Sequence, residues 1–142
     1  MLEVTVEHLG AVQFEIKARG NTVICDQPEE NGGFDEGMTP PELMLASLGS
    51  CAAFYAVDYL KRSKLDVQGT RVRVRAEKAK NPARLDDFKI EVDVPAGLSE
   101  AHVKGLEEAV HRCLIHNTLM HPPAIALEVR GAAIAKGAAV AG

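Results

Sequence analysis

The amino-acid sequence predicts a single α+β domain spanning residues 1–142. Strand-like alternation of apolar and polar residues occurs at the start of the chain and again in its middle, and a helical segment follows each of these regions. With 142 residues, 46% of them hydrophobic and 25% charged, the chain has the size and composition of one globular domain. The predicted order is strands, helix, strands, helix, strand, which indicates an α+β fold.

The N-terminal region predicts three strands and a loop. Apolar and polar residues alternate in LEVTVEH (2–8) and VQFEIKA (12–18), the pattern of a half-buried hairpin. A Gly-Asn turn leads into TVIC (22–25). The next segment, DQPEENGGFDEGMTP (26–40), is rich in glycine, proline and acidic residues, which predicts a loop.

A long helix is predicted over residues 41–62. Thr39 can cap it, Pro40 suits its first position, and Glu42 stands three residues after the cap as in a capping box. Glu42 can therefore serve as a capping residue or take part in chemistry. The helix is apolar on nearly all sides, so it belongs in a core or a subunit interface. Small residues surround Cys51 and leave room for another element or a ligand: Gly49, Ser50, Ala52 and Ala53.

The second half of the chain repeats the strand–helix order. GTRVRVRAEKA (69–79) and FKIEVDV (88–94) alternate and predict an antiparallel pair. SEAHVKGLEEAVHRCLI (99–115) predicts one helix, because its apolar residues share one face. IALEV (125–129) predicts a last strand. The glycine-punctuated tail, residues 131–142, is expected to be flexible.

Charge and composition narrow the function classes. A formal net charge of -4 and a pI near 5.7 give no reason to expect nucleic-acid or anionic membrane partners. The alternating arginines at 71, 73 and 75 predict cross-strand ion pairs with Glu91 and Asp93. We expect no membrane span and no signal segment, hence a cytoplasmic protein. In that compartment three cysteines are free thiols, ligands or catalysts rather than disulfides.

Cys51 and Cys113 form a candidate redox pair. Both are predicted on apolar helix faces that point toward the interior, an arrangement open to coincidence or to chemistry. A Cys51 thiolate could attack a peroxide and become a sulfenic acid, which would condense with Cys113 to a disulfide.

Cys25 lies in a strand without motif support and is expected to be inert. His111 and His116, five residues apart, are predicted to point in different directions, so we expect no metal and no cofactor.

Two motifs carry a family resemblance. GMTPPELMLASLGSCAAFYAVDYLKR, followed later by HRCLIHNTL, resembles the OsmC/Ohr family of osmotically inducible and organic hydroperoxide resistance proteins. The family pattern has a Pro-Glu helix start, a peroxidatic cysteine in that helix, and a C-x-x-[SH]-x-x-L stretch, which Cys113, His116 and Leu119 match. The resemblance covers roughly residues 10–130 and points to the OsmC-like branch.

The resemblance implies a thiol-dependent, peroxiredoxin-like organic hydroperoxide reductase acting in oxidative-stress defence. Cys51 would be peroxidatic and Cys113 resolving. Arg19 would stabilise the thiolate and bind the peroxide oxygens, and Glu42 would hold the guanidinium by a bidentate pair. Apolar side chains would form the substrate pocket and favour organic hydroperoxides: Met38, Leu48, Phe54 and Tyr55.

The resemblance also implies an assembly. Members have an OsmC-like fold with antiparallel sheets wrapped around two central helices in an intertwined homodimer, with the sites at the interface. A dithiol, such as a lipoyl group, would recycle the disulfide. The alternative is a non-catalytic OsmC-like protein that binds a small apolar or sulfur-containing ligand at the dimer interface.

The spacing of Glu42 and Cys51 favours a composite site. They are nine residues apart, which on a straight helix means about 13 Å of rise and side chains on opposite faces. Either the helix is irregular, or Glu42 and Arg19 of one protomer serve Cys51 of the other. We favour the second interpretation.

Overall fold

The computed structural model describes residues 1–132 and confirms the α+β class. A three-stranded antiparallel sheet precedes a long helix, a two-stranded hairpin and two further helices. The strands are β1 (Thr5–Gly10), β2 (Gln13–Ala18), β3 (Asn21–Cys25), β4 (Arg71–Ala79) and β5 (Arg84–Asp93), and the helices are α1 (Pro40–Arg62), α2 (Glu100–His111) and α3 (Leu114–Met120). Apart from its first two residues, the tail predicted to be flexible (131–142) lies outside the described residues.

The N-terminal sheet has one apolar face. In the order β1-β2-β3, Val6 pairs with Ile16 and Ile16 with Val23, so these three side chains share a face. Within the described residues this sheet packs only sparsely against the helices and the β4–β5 hairpin. Val6 and Val23 are accordingly exposed.

Helix α1 begins as the capping pattern predicts. Thr39 is the N-cap, and its Oγ1 accepts a hydrogen bond from the Glu42 backbone N at 3.4 Å. The buried residues recur every four positions and form one stripe: Leu48, Ala52, Ala56 and Leu60. This stripe packs against β4 and α2.

The core lies between α1, α2 and the inner face of the hairpin. Leu60, Leu106 and Val110 are buried together, with apolar residues of β4 and β5 packed around them.

By length and composition α1 is able to cross a membrane, so the expectation that no apolar segment reaches that length was wrong. In this fold the buried stripe of α1 is covered by protein.

The outer face of the hairpin carries the predicted ion pairs. Arg73 and Arg75 both contact Glu91, at 3.1 and 3.3 Å, and Arg71 lies opposite Asp93 in the register. The three paired side chains are 43–58% exposed, so each pair contributes at most about 1 kcal/mol. Cross-strand pairing is therefore confirmed for Arg73 and Arg75 with Glu91, whereas Arg71 and Asp93 lie opposite each other without an ion pair between them.

Two element predictions were wrong. The single helix expected over 99–115 is two helices, because the chain turns at Arg112 and Cys113 before α3 begins. Residues 125–129 form no strand within the described chain. Ile125, Leu127 and Val129 are 91%, 88% and 85% exposed, and a strand forms only where a neighbouring strand satisfies its backbone groups.

Candidate active site

Two of the predicted site residues, Cys51 and Cys113, come together. The thiol of Cys51 lies close enough to that of Cys113 to raise its pKa, and both cysteines are free. Cys51 lies in the middle of α1 and is partly exposed, whereas Cys113 is fully buried. The structure therefore places a partly accessible sulfur directly against a protected one.

Cys113 does not lie on the apolar face of α2, as the sequence suggested. Helix α2 ends at His111, and Cys113 is the N-cap of α3. Its Sγ accepts a hydrogen bond from the His116 backbone N at 3.5 Å. The prediction was wrong because apolar residues keep their helical spacing as far as Leu114, although the backbone of α2 ends at His111.

The surroundings of Cys113 favour its protonated form. Burial raises the pKa of this thiol, and the neighbouring Cys51 thiol raises it further. The amides of His116 and Ile115 lower the pKa, but they do not outweigh the other two effects. Cys113 is thus a protected thiol, and Cys51 is the sulfur that a reagent from solution meets first.

Arg19 and Glu42 are not gathered around Cys51 in the single chain. Arg19 stands in the exposed turn between β2 and β3 with a φ of 61°, and Glu42 is exposed in the first turn of α1. Neither has an ion-pair partner within residues 1–132. Because α1 is continuous from Pro40 to Arg62, helix irregularity does not bring Glu42 to Cys51.

A cavity of about 1160 Å³ opens between α1, β5, α2 and α3. Its wall is mainly apolar and includes Leu48, while neither cysteine of the thiol pair lines it. Of the other three predicted pocket residues, none lines this cavity: Met38, Phe54 and Tyr55. Phe54 is exposed and its ring meets that of Tyr55 edge to face, with centroids 5.4 Å apart.

Sequence reasoning missed the arrangement of His111 and His116. The turn between α2 and α3 brings their rings together, with centroids 5.4 Å apart, so they do not point in different directions. Both line the cavity, and the Nδ1 of His116 is buried without a hydrogen-bond partner in the described part of the chain. Residues 1–132 contain no cluster of three or more His, Cys, Asp or Glu side chains suited to a metal ion.

A buried carboxylate was also missed. Asp26 is fully buried at the end of β3 and accepts four hydrogen bonds. Burial alone would raise its pKa, but the donors from Gln27, Glu36, Gln13 and Phe34 together hold the pKa below the ordinary value. The only sequence signal was an aspartate opening a glycine-rich loop.

The fold and the paired thiols define a class of protein: a small α+β domain in which a free cysteine of a long apolar helix neighbours a second, buried free cysteine. A family model described as OsmC-like protein matches residues 33–128. The chain belongs to the OsmC family.

Solved structures agree on the fold. A candidate osmotic-stress-induced and detoxification-response protein from Psychrobacter arcticus has 22% identity and a TM-score of 0.76, with 83% of this chain and 88% of that chain covered. The OsmC-like protein from Mycoplasma pneumoniae has 17% identity and a TM-score of 0.74, with 86% and 89% covered. An organic hydroperoxide resistance protein from Legionella pneumophila has 18% identity and a TM-score of 0.55, with 82% and 88% covered. No curated protein matches the sequence.

Proposed function

We propose that this chain is a thiol-dependent peroxidase that reduces organic hydroperoxides in oxidative-stress defence. The observation that carries the proposal is the proximity of the Cys51 thiol to the buried Cys113 thiol, whose pKa Cys51 raises. Neighbouring thiols are the arrangement that a disulfide requires. Family membership and the likeness to hydroperoxide resistance proteins support a redox role.

The reaction has two chemical steps. The Cys51 thiolate attacks one oxygen of the hydroperoxide, the O–O bond breaks, and the alkoxide leaves and takes a proton to become an alcohol. Cys51 is then a sulfenic acid. Next the Cys113 sulfur attacks the Cys51 sulfur, a disulfide forms, and the sulfenic hydroxyl leaves with the Cys113 proton as water. A dithiol reductant, possible examples being lipoyl groups, then reduces the disulfide by exchange.

The difference in exposure supports the roles proposed for the two cysteines. Cys51 is partly exposed and Cys113 is fully buried, so only Cys51 can meet a hydroperoxide directly. Cys113, kept protonated by burial, is protected from oxidation until the sulfenic acid forms beside it. The same arrangement limits the sulfenic acid's access to a second peroxide.

The proposal includes a homodimer with composite sites. The apolar face of the N-terminal sheet is uncovered at Val6 and Val23, and the segment 121–132 is exposed and forms no helix or strand. A second copy would bury these surfaces. It would also bring its Arg19 and Glu42 to Cys51, which those residues of the same chain do not reach. We place the protein in the cytoplasm, where thiols stay reduced.

The test is to give reduced protein one equivalent of cumene hydroperoxide, count the free thiols and map the oxidised peptides by mass spectrometry. We expect a rapid loss of two thiols per chain and a Cys51–Cys113 disulfide. In Cys113→Ser a sulfenic acid should persist at Cys51, where dimedone traps it. Arg19→Ala should slow the first step.

The matched control is Cys25→Ser, which removes the one remaining cysteine. Cys25 is buried at the end of β3, away from the thiol pair, and burial raises its pKa. This variant should react as the wild type does. Slow oxidation spread evenly over all three cysteines would contradict the peroxidase proposal.

The cavity favours a second candidate function, a non-catalytic protein that binds a small apolar or sulfur-containing ligand. Its volume of about 1160 Å³ and mainly apolar wall suit such a ligand, and the thiol pair does not line it. Binding of a hydrophobic fluorescent probe that is unchanged in Cys51→Ser, together with slow reaction of the wild type with peroxide, would favour this function over the first.

A further inference from the structure

Asp26 has a hydrogen-bond arrangement that the proposed chemistry does not use. Its Oδ1 accepts from the Gln27 backbone N at 2.8 Å. Its Oδ2 accepts from Gln13 Nε2 and from the backbone N of Phe34 and Glu36, each at 3.1 Å. The carboxylate thus joins strand β2, the end of β3 and the far part of the following loop at one point.

The loop around Asp26 is tightly closed. The Asp26 backbone N donates to the Met38 carbonyl at 3.2 Å, so the end of β3 lies beside the residue that precedes the cap of α1. A Cβ at Gly33 would overlap the Gln27 carbonyl, and one at Gly37 would overlap the Ile24 carbonyl. The chain therefore returns to the end of β3 immediately before α1 begins.

The charge on Asp26 fixes the geometry of this junction, that is, of the point where β2, the end of β3 and the loop before α1 meet. A carboxylate moved out of water is costly unless donors replace its hydration, and here four donors do so. Because these hydrogen bonds hold the pKa of Asp26 below its ordinary value, the group is ionised at neutral pH. Charge-assisted hydrogen bonds depend on angle and distance, so the junction fixes an orientation as well as an attachment.

The elements on the two sides of this junction carry the predicted accessory residues. The β1–β3 sheet bears Arg19, and the first turn of α1 bears Glu42. Elsewhere the sheet packs only sparsely on the rest of the described chain. The loop closed by Asp26 is consequently the main connection that sets one residue relative to the other.

We propose that Asp26 is a positioning residue, which orients the Arg19-bearing sheet relative to the Glu42-bearing start of α1 so that one protomer presents both groups together. The inference rests on the proposed function, in which these two groups act on the partner's thiolate. Asp26 does not touch the reacting atoms. It acts through the placement of Glu42 and Arg19.

The kinetic test compares Asp26→Asn, which keeps the shape and removes the charge, with Asp58→Asn. Asp58 is an exposed partner of Arg62 on α1 and serves as the matched control. In Asp26→Asn, oxidation of Cys51 by cumene hydroperoxide should slow by about tenfold to a hundredfold, the loss expected when a catalytic group shifts by about 1 Å. Disulfide formation driven by diamide should keep its rate, because α1 and the start of α3 hold the two cysteines independently of the loop that Asp26 closes. Asp58→Asn should change neither rate.

A double variant tests whether Asp26 acts through Glu42. If it does, Asp26→Asn/Glu42→Gln will react with hydroperoxide within about twofold of Glu42→Gln alone, since coupled effects are not additive. Additive losses, an unchanged hydroperoxide rate in Asp26→Asn, or equal slowing of the hydroperoxide and diamide reactions would each overturn the proposal.

A distance measurement decides the proposal even if the protein is not a peroxidase. Spin labels are placed at Arg19→Cys and Glu42→Cys in a background with the three native cysteines replaced by serine, and the labelled chain is diluted with unlabelled protein. Asp26→Asn should broaden the distance distribution between the labels, and Asp58→Asn should not. An unchanged distribution in Asp26→Asn refutes the positioning role. Slow peroxide oxidation of the wild type refutes only the proposed function.

Discussion

Leu48 and Leu60 offer a matched test of the cavity beside the thiol pair. Both are leucines of α1 and both are buried, at 1% and 0% exposure. Leu48 lines the cavity and lies one turn before Cys51, whereas Leu60 belongs to the core cluster with Leu106 and Val110. Alanine at either position removes a similar buried side chain, but only Leu48 lines the cavity, which we propose takes the apolar part of an organic hydroperoxide.

The expected loss of stability is similar for the two variants. A buried Leu→Ala substitution costs about 3–5 kcal/mol in free energy of unfolding. A chain of this length has an unfolding entropy of about 0.3 kcal/mol per kelvin at the Tm, so a loss of 3 kcal/mol lowers the Tm by about 10 °C. Calorimetry at one fixed protein concentration measures this shift, because association makes the Tm concentration-dependent.

The kinetic effect should separate the two variants. Leu48→Ala should lower the second-order rate constant for cumene hydroperoxide about five- to thirtyfold, corresponding to about 1–2 kcal/mol of lost apolar contact. Its rate with hydrogen peroxide should stay close to that of the wild type. Leu60→Ala should leave both rates unchanged at 25 °C, and Leu48→Val provides a milder variant. Equal slowing of Leu48→Ala and Leu60→Ala with the organic substrate would refute the assignment of the cavity.

Three further predictions concern packing and charge. Gly105→Ala places a methyl group into the Tyr59 ring and should cost about 1–3 kcal/mol by urea unfolding, with a smaller cost when Tyr59 is also replaced by leucine; equal costs in both backgrounds would contradict the contact. The pKa values of Cys25 and Cys113 are raised chiefly by burial, so the native state keeps protons that the unfolded state loses. Stability should therefore be full below the ordinary thiol pKa of about 8.5 and fall as the pH rises toward the raised values. Urea unfolding should show a smaller alkaline loss in Cys25→Ala/Cys113→Ala, and an identical pH profile would refute the argument. Glu91→Gln removes two exposed ion pairs and should change the unfolding free energy by less than about 2 kcal/mol, at most about 1 kcal/mol for each pair; a larger loss would mean the pairs are more than surface contacts.

Local chemistry made most of the elements predictable from the sequence. The alternation in β2 and β4 and the proline and cap at the start of α1 are all decided by residues within a few positions of one another. The ion pairs of Glu91 were predictable for the same reason, because strand register follows from alternation.

The features that the sequence did not predict depend on distant contacts. The break at Cys113 replaces a helical hydrogen bond with an amide donor to a sulfur, and that sulfur's neighbour is Cys51, far away along the chain. Asp26 binds donors from β2 and from the loop, which a linear pattern cannot bring together. Where a side chain finds its partner through the fold, periodicity along the sequence contains no signal of it.

Because α1 is continuous, the nine-residue spacing of Glu42 and Cys51 keeps their side chains apart within one chain. With no irregularity between Pro40 and Arg62, Glu42 stays about 13 Å along the helix axis from Cys51 and on another face. The thiol pair, by contrast, lies within one chain, since the Cys51 thiol already neighbours that of Cys113. In the proposed mechanism the resolving step is therefore an internal property of each chain, while activation of Cys51 depends on a second copy. In that mechanism each chain holds both sulfurs itself, whereas its Arg19 and Glu42 are exposed because they serve the other copy.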